Sequence, residues 1–306
     1  MPKVSVIIPT YNRESYISDT IQSVLDQTFK DFEIIIIDDG STDRTKERLE
    51  KFGSKIKIIE QKNSERAVSR NNGVKIATGS YIAFLASDDI WISNKLEKQV
   101  GILESDPDVI LTYGQCHRIN EKNQKIKIAK RQTKGFSGSV YEKLLMRNFI
   151  PSPTPVIRRH DFEEIKGFQT KYVPYEDWEF WLRLSSLGKF YFINEPLAFY
   201  RIHPEQSVRV ATAKKIEDVT TSLLEDSFKL KEISEKIKRK SMGLANLRFC
   251  YWYLLANHPN KAKEKIQKAK ELYPYFLIDL RWYGLRFLCT FPKLIGRSIF
   301  DLEQYH

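Results

Sequence analysis

The chain has 306 residues, 42% of them hydrophobic, and a formal net charge of +11 at pH 7. This length and composition are typical of a soluble enzyme with a sizeable core, arranged as one large domain with an appendage. The three cysteines (Cys116, Cys250 and Cys289) are widely spaced and odd in number, which excludes a disulfide framework or a zinc motif and favours a reducing compartment.

The first residues, MPKVSVIIPTYN, enter a strand directly and lack the regions of a signal peptide. No window approaches the roughly 18 to 20 consecutive apolar residues that span a bilayer. We therefore expect a cytoplasmic protein. The basic residues that give the surplus charge crowd into residues 229–297, around aromatic side chains.

Strands and helices alternate along the first part of the chain, which predicts an α/β domain. The predicted strands are residues 4–9, 33–37, 55–60 (near a sheet edge), 81–86, 109–114 and 190–194. The predicted helices are residues 17–25, a helix with Leu49 and Phe52 inside, a short helix closed near Gly73 or Gly79, residues 93–103, and 176–188. The prolines of residues 151–162, PSPTPVIRRHDF, exclude a regular helix or a central strand in this stretch. Beyond about residue 205 the pattern is helical and basic, with a helical pair at 240–273.

Three apolar, β-branched runs end in polar or acidic clusters: VSVIIPTYN (4–12), EIIIIDDGSTD (33–43) and YIAFLASDD (81–89). Strands that are apolar on both faces belong to parallel sheets, whose ligands bind outside the carboxyl ends of the strands. All three clusters should therefore line one crevice. Adjacent carboxylates at Asp88 and Asp89 suit a hard divalent cation that also holds phosphates, which points to a nucleotide.

Six motifs in this order, VSVIIPTYNRE, IIIIDDGSTD, SRNNG, LASDD, EDWEFWLRL and YRIHPEQS, resemble those of a family 2 glycosyltransferase of GT-A fold. The resemblance covers residues 3–208. It implies a Rossmann-like, mixed and mostly parallel sheet flanked by helices, followed by a helical C-terminal extension. It also implies transfer of a sugar from a nucleotide diphosphate donor to an acceptor hydroxyl, with inversion and with help from Mn2+ or Mg2+.

The resemblance places several residues around the donor nucleotide, with UDP as the expected carrier. Asp39 would accept a hydrogen bond from the base, because an ionised carboxylate is a strong acceptor for a uracil imide. Arg70 and Asn71 would approach the donor from the side, although Arg70 is equally suited to a structural ion pair. The full set for the nucleotide is Pro9, Thr10, Tyr11, Asp39, Arg70, Asn71 and Asp88.

For the metal, the resemblance implies Asp89 and His203 as ligands, with Asp88 on the ribose or beside the metal. Many relatives have a further carboxylate where this chain has Ala86, which puts metal affinity and the ribose contact in question. Arg201 could pair with a phosphate or with the acidic strand ends.

For the chemical step, Asp177 matches the general base of the family, and Glu176 would contact the acceptor or the donor sugar. Trp178 is a candidate sugar platform, while packing in the core is the alternative role for the tryptophans of this helix. The alternative for the acidic pair is the first turn of a helix, where carboxylates are favoured by the helix dipole.

The tail segment PYFLIDLRWYGLRFLCTFPKLIGRSIF mixes aromatic, leucine and basic residues. It could lie in the headgroup region at the inner face of a membrane, which would suit a peripheral enzyme acting on saccharide or lipid-linked acceptors. Packing of Trp282, Tyr283, Phe287 and Phe291 on protein is the alternative. No basic and aromatic module for nucleic acid is present.

The predicted organisation is a catalytic domain in residues 1–208 and a helical extension in residues 209–306. Two alternatives to a glycosyltransferase remain open: a sugar nucleotidyltransferase, whose glycine-rich phosphate loop is missing from IIPTYNRES, and a catalytically idle subunit that only binds nucleotide. The sugar, the acceptor and the oligomeric state are not determined by these motifs.

Overall fold

The computed structural model describes residues 1–126, 135–203 and 212–275, together with Leu285 and Cys289. The strands are β1 (Val4–Thr10), β2 (Phe32–Asp38), β3 (Lys57–Glu60), β4 (Tyr81–Phe84), β5 (Ile90–Trp91), β6 (Val109–Ile119), β7 (Val156–Arg158) and β8 (Lys189–Arg201). The α-helices of the described residues are α1 (Ile17–Leu25), α2 (Thr45–Glu50), α3 (Arg66–Ile76), α4 (Lys95–Ser105), α5 (Tyr141–Met146), α6 (Arg159–Glu164), α7 (Glu176–Leu184), α8 (Ala213–Ser227), α9 (Glu235–Leu255) and α10 (Pro259–Leu272).

The strands form one mixed sheet in the order β3-β2-β1-β4-β7-β6-β8-β5. Parallel pairs join β1 to β2 and β4, β2 to β3, and β6 to β8. Strand β7 is antiparallel to both of its neighbours, and β5 is antiparallel to β8. The predicted mixed and mostly parallel sheet is confirmed, and so is the edge position of the third strand.

The central strands are apolar on both faces because helices cover both faces. On one face, Val6 and Ile8 of β1 belong to the same buried cluster as Ile17 and Ile21 of α1. On the other face, a Cβ atom at Gly73 of α3 would lie 2.4 Å from Cγ2 of Ile7, so only glycine allows this helix to approach β1 so closely. Of the two predicted ends of this helix, Gly73 is wrong because it lies inside α3, whereas Gly79 lies shortly after the last helical residue, Ile76.

The proline-rich stretch was predicted wrongly. Strand β7 lies between β4 and β6, and α6 follows it directly. The prolines at 151, 153 and 155 all precede β7, so the strand keeps its own N–H groups for the ladder. Three residues are too few for a period-two pattern to stand out from the loop before them.

Strand β8 continues well beyond the predicted residues 190–194. Pro196 lies opposite Gln115 of β6, where the register of the β6–β8 pair shifts. A local irregularity of this kind accommodates a residue that cannot donate to the ladder. Pairing then resumes as far as Ile119 with Arg201, and this continuation delivers Arg201 and His203 to the acidic residues after β4.

The chain divides into two compact units. The first is Met1–Val140 with Phe149–Pro204, and it contains the whole sheet; the second is Tyr141–Asn148 with Glu205–His306. The predicted division at residue 208 lies outside the described residues. The prediction also placed α5 in the first domain, whereas it belongs to the second compact unit. In the second unit, α9 and α10 are the predicted helical pair.

Within the second unit, Glu217 of α8 accepts a hydrogen bond from the Tyr253 hydroxyl at 2.7 Å and pairs with Lys265 at 2.8 Å. No helix among the residues that the structure describes has the length and apolar character that would cross a membrane. The aromatic residues of the tail that were predicted to contact a membrane lie outside the described residues. The structure therefore does not test that prediction.

Candidate active site

The polar clusters after β1, β2 and β4 lie at one edge of the sheet. Thr10 pairs with Asp38 at the carboxyl ends of β1 and β2, and the Asp39 N–H donates to the Thr10 carbonyl at 2.9 Å. Strand β4 is parallel to β1, and the Leu85 N–H donates to the Ile7 carbonyl just before the SDD sequence. The prediction that the three clusters lie together is confirmed for their position at one edge of the sheet.

Two adjacent carboxylates end β2, and their surroundings differ. Asp38 accepts a hydrogen bond from the Ser41 N–H at 3.0 Å, so it braces the turn. Asp39 is buried, and its Oδ1 accepts three hydrogen bonds: from Gln61 Nε2 at 2.7 Å, from the Ser64 N–H at 2.9 Å and from the Ser64 hydroxyl at 3.1 Å. These bonds fix the Asp39 carboxylate and concentrate on one oxygen, which leaves acceptor capacity on Oδ2.

The loop after β1 is tied to the loop after β2. Asn12 has a positive φ of 51°, and its N–H donates to the Ser41 hydroxyl at 3.0 Å. The next N–H, of Arg13, donates to Thr45 Oγ1 at 2.7 Å. The side chain of Asn12 in turn accepts a hydrogen bond from the Thr42 N–H at 2.8 Å. These hydrogen bonds therefore hold the two loops together at this edge of the sheet.

Before this junction, the three residues predicted to surround the nucleoside differ in exposure. Pro9 pairs with Ile37 within the sheet, and Thr10 is buried. Tyr11 is 44% exposed, which is unusual for a large aromatic side chain and leaves its ring open to a ligand.

The carboxylates after β4 meet the end of β8. His203 Nε2 lies 2.8 Å from Asp88 Oδ2, and Arg13 Nε lies 3.5 Å from the same oxygen. Asp89 is fully buried, and its Oδ1 accepts the Arg201 N–H at 2.9 Å. Among the described residues, Asp89 Oδ2 has no hydrogen-bond partner. Burial, and secondly the charge of Asp88, raise the pKa of Asp89 well above its ordinary value.

Arg201 holds this arrangement in place. Its Nε donates to the Asp88 carbonyl at 2.7 Å, its Nη1 donates to Asn123 Oδ1 at 2.5 Å, and its guanidinium lies over the Tyr16 ring at 4.7 Å. Of the two partners expected from the sequence, Arg201 therefore engages the acidic strand end. Neither Tyr16 nor Arg13 was singled out from the sequence, because their neighbours in this site lie far along the chain.

The residues after β4 and β8 fit a divalent cation. A buried carboxylate oxygen without a partner is unfavourable, and coordination by a metal would relieve it. Asp88, Asp89 and His203 do not form a compact ligand trio. The described trio with ligand atoms within 4.8 Å of one another is instead His160, Asp161 and Glu164 on α6. A cation such as Mg2+ is commonly bound by one or two carboxylates, with substrate phosphates completing its shell, so a compact protein trio is not required.

The acidic pair of the EDW motif begins α7, and its two members differ. Glu176 is fully buried; its Oε1 accepts from Arg70 Nη1 at 2.7 Å and its Oε2 from Arg66 Nη2 at 2.9 Å. Burial opposes ionisation of Glu176, but the two arginines outweigh it and lower its pKa. Asp177 is half-buried; burial and then the charge of Glu176 raise its pKa, against the effect of both arginines.

Two further predicted site residues make structural contacts. The Asn71 side chain donates to the Phe168 carbonyl at 2.8 Å and accepts the Phe168 N–H at 2.9 Å, so both ends of its amide are engaged. Trp178 is buried and lies edge-on to Tyr175. Arg66 was missed by the sequence reasoning, although its spacing of four residues from Arg70 places both on one face of a helix.

The Glycosyl transferase family 2 model matches residues 5–165. This match covers more than half of the chain. The chain belongs to glycosyltransferase family 2. An uncharacterized glycosyltransferase of Haemophilus influenzae is 34% identical over 99% of this chain and 94% of its own length. The amylovoran biosynthesis glycosyltransferase AmsB of Erwinia amylovora is 30% identical over 84% of this chain and 92% of its own length.

Some relatives of this family 2 chain are much longer. The matches to three uncharacterized glycosyltransferases of Rickettsia cover 65–67% of this chain but only 29–33% of those proteins. The chain thus spans about a third of the length of these curated relatives.

Solved structures share the GT-A fold. The mannosyltransferase PcManGT of Pyrobaculum calidifontis, in complex with GDP-Man and Mn2+, has a TM-score of 0.61 and 16% identity, over 100% of this chain and 88% of its own. S. aureus TarS 1-349, in complex with UDP-GlcNAc, has a TM-score of 0.59 and 18% identity, over 89% and 92%. At such low identity the likeness shows the fold alone.

Proposed function

We propose that this protein is an inverting glycosyltransferase that moves a sugar from a UDP-sugar to an acceptor hydroxyl, with a divalent cation on the diphosphate. The observation that carries the proposal is the buried Asp89 carboxylate, which has an unpartnered oxygen beside Asp88 and His203. It follows β4 at the carboxyl edge of the parallel part of the sheet, where nucleotides bind in such folds.

The donor base is recognised by Asp39. Its Oδ1 already accepts three hydrogen bonds, so one oxygen remains for the ligand. Uracil presents a single imide N–H, whereas guanine presents an N–H and an adjacent amino group, which together ask for two acceptors. The geometry therefore favours UDP over GDP. Pro9 and Thr10 shape the loop, and the exposed ring of Tyr11 stacks on the base.

The metal is held by Asp89 and His203, with Asp88 beside them. Mn2+ or Mg2+ bound there would neutralise charge on the departing diphosphate, which is the Lewis-acid role of a catalytic cation. Asp89 supplies the harder oxygen ligand, and His203 supplies Nε2. Arg201 keeps the SDD turn in place through its bond to the Asp88 carbonyl.

Asp177 acts as the general base. It removes the proton of the acceptor hydroxyl while that oxygen attacks the anomeric carbon; the bond to the diphosphate breaks, and UDP leaves with the electron pair. A single displacement of this kind inverts the anomeric centre. The raised pKa of Asp177 makes its carboxylate a stronger base than an exposed aspartate. Asn71 and Trp178 support the site by packing.

We extend the proposal to the acceptor class, a saccharide of a growing glycan or a lipid-linked saccharide. Support comes from a relative whose name places it in amylovoran biosynthesis. Contact of the C-terminal residues with a membrane surface belongs to the same proposal, because lipid-linked acceptors reside there.

The test is calorimetric binding of UDP and GDP, with and without Mn2+. We expect metal-dependent binding of UDP to the wild type and a weakening of about tenfold or more, roughly 1.4 kcal/mol, in Asp89→Ala. Asp31→Asn is the matched control, because the exposed Asp31 precedes β2 at the opposite edge of the sheet. Binding indifferent to both Mn2+ and Asp89 would contradict the donor site, and tighter binding of GDP would contradict the choice of base.

A further inference from the structure

Arg66 of α3 has no part in the proposed chemistry. It nevertheless binds both the residues just before α7 and the first residue of α7. Its Nη2 donates to the Pro174 carbonyl at 2.5 Å and to Glu176 Oε2 at 2.9 Å, while its Nε lies 2.5 Å from Glu176 Oε1. Arg70 binds the same carboxylate one helical turn further along α3. Two arginines therefore hold the residue immediately before Asp177.

We propose that Arg66 and Glu176 form a positioning pair for Asp177, which fixes the start of α7 and sets the charge around the base. This inference rests on the proposed function of Asp177. It gives Glu176 a role that needs no contact with a sugar, in keeping with a side chain that is 1% exposed.

The geometry makes the pair rigid. The planar guanidinium of Arg66 donates to one oxygen of Glu176 and lies against the other, which restricts rotation of both side chains; the compact ammonium of a lysine cannot make both contacts. The bond to the Pro174 carbonyl also anchors the backbone two residues before Glu176 is reached. Asp177 follows, with its Oδ1 accepting the Trp178 N–H at 2.7 Å. Movement of Arg66 would therefore shift the base itself.

Among the residues that the structure describes, the charges that act on Asp177 are those of Glu176 on α7 and of Arg66 and Arg70 on α3. Tyr200 of β8 also interacts electrostatically with Arg66. Loss of the Glu176 charge would favour ionised Asp177, because a like charge disappears. Loss of the Arg66 charge would favour protonated Asp177, because an opposite charge disappears. The two substitutions should thus move the titration of Asp177 in opposite directions.

The direct test is carboxyl-carbon NMR of aspartate-labelled protein, with the Asp177 signal identified by its loss in Asp177→Asn. We expect Asp177 to titrate at lower pH in Glu176→Gln and at higher pH in Arg66→Met. Arg66→Lys, which keeps the charge, and the double variant Arg66→Met with Glu176→Gln should both titrate near the wild type. Thermal unfolding of each variant shows that it is folded. Shifts in the same direction, or no shifts, would overturn the inference.

The kinetic test follows release of UDP from UDP-GlcNAc, with water as acceptor, across pH. The acid limb of kcat/KM reports the base in the free enzyme. We expect the ratio of the acidic rate to the plateau rate to rise about threefold to tenfold in Glu176→Gln and to fall by a similar factor in Arg66→Met. An unchanged rate in Asp177→Asn would contradict the proposed function. If the acid limb of kcat/KM depends on Asp177 but is unchanged in Glu176→Gln and Arg66→Met, only the positioning pair would be contradicted.

Discussion

Replacement of Asp89 by asparagine should stabilise the free protein and reduce the stabilisation that Mn2+ and UDP give to the folded state. The asparagine side chain keeps a carbonyl oxygen that can accept the Arg201 N–H, which Asp89 receives at 2.9 Å. The substitution removes a charge that is fully buried and faces the neighbouring charge of Asp88. A site that binds a cation is commonly strained without it, and neutralising the site then raises stability.

The magnitude follows from the unpartnered oxygen of Asp89. A buried polar group without a partner costs about 1–3 kcal/mol, and more for a charged group; the asparagine amide regains part of this. We therefore expect the free energy of unfolding to rise by about 1–2 kcal/mol. In a domain of about 200 residues, each kcal/mol raises Tm by roughly 2–4 °C. Mn2+ and UDP at about a hundred times the wild-type Kd should add about 2.7 kcal/mol to the wild type, and about 1.4 kcal/mol or less to a variant that binds tenfold or more weakly.

The pH dependence has a definite sign. The pKa of Asp89 is higher in the folded than in the unfolded state, so its contribution is favourable in acid and is lost as the pH rises towards the folded pKa. The advantage of Asp89→Asn should therefore appear near neutral pH and vanish in acid. Scanning fluorimetry, with and without Mn2+ and UDP, measures both effects. A free Asp89→Asn protein less stable than the wild type, or equal ligand shifts in both proteins, would refute the reasoning.

Two other substitutions test the scaffold of the site. Burial opposes ionisation of Glu33, but bonds from Lys57 and Thr78 outweigh it and lower its pKa to about 2, so this stabilisation is present above the ordinary pKa of 4.5 and is lost between about 4.5 and 2. In urea unfolding, the difference between wild type and Glu33→Gln should shrink across this window; a constant difference would contradict the assignment. Asn71→Ala removes both bonds to Phe168 and should lower the free energy of unfolding by about 1–3 kcal/mol, with UDP affinity unchanged in calorimetry. A selective loss of UDP affinity would instead restore a donor role for Asn71.

Local pattern determined much of the architecture. The β-branched runs that end at Thr10 and Asp38 were sufficient to predict parallel strands, because both faces of such strands are covered and every position is apolar. The helix at residues 17–25 followed from apolar residues at helical spacing, and Ile17, Ile21 and Val24 are buried. The shared edge followed as well, since the carboxyl ends of parallel strands point the same way.

The elements with a short or interrupted pattern were decided by tertiary contacts. Strand β7 has three residues, and its place between β4 and β6 comes from partners rather than from its own sequence. The predicted strand covered only residues 190–194, before the irregularity at Pro196, whereas pairing with β6 carries β8 on to Arg201. Strand preference depends on such neighbours more than helix preference does.

The sequence by itself predicted the acidic groups of the candidate site, and only the tertiary structure decided how they are paired. Asp88 and Asp89 were indicated by their place after an apolar strand, and Asp177 by the resemblance of the ordered motifs to those of the family. Pairing of Asp88 with His203 across 115 residues, and of Glu176 with Arg66 across 110, depends on how β8 and α3 pack. Hydrogen bonds between distant residues leave no periodic trace in a single sequence, so the fold had to bring these side chains together before their charges could be assigned to one another.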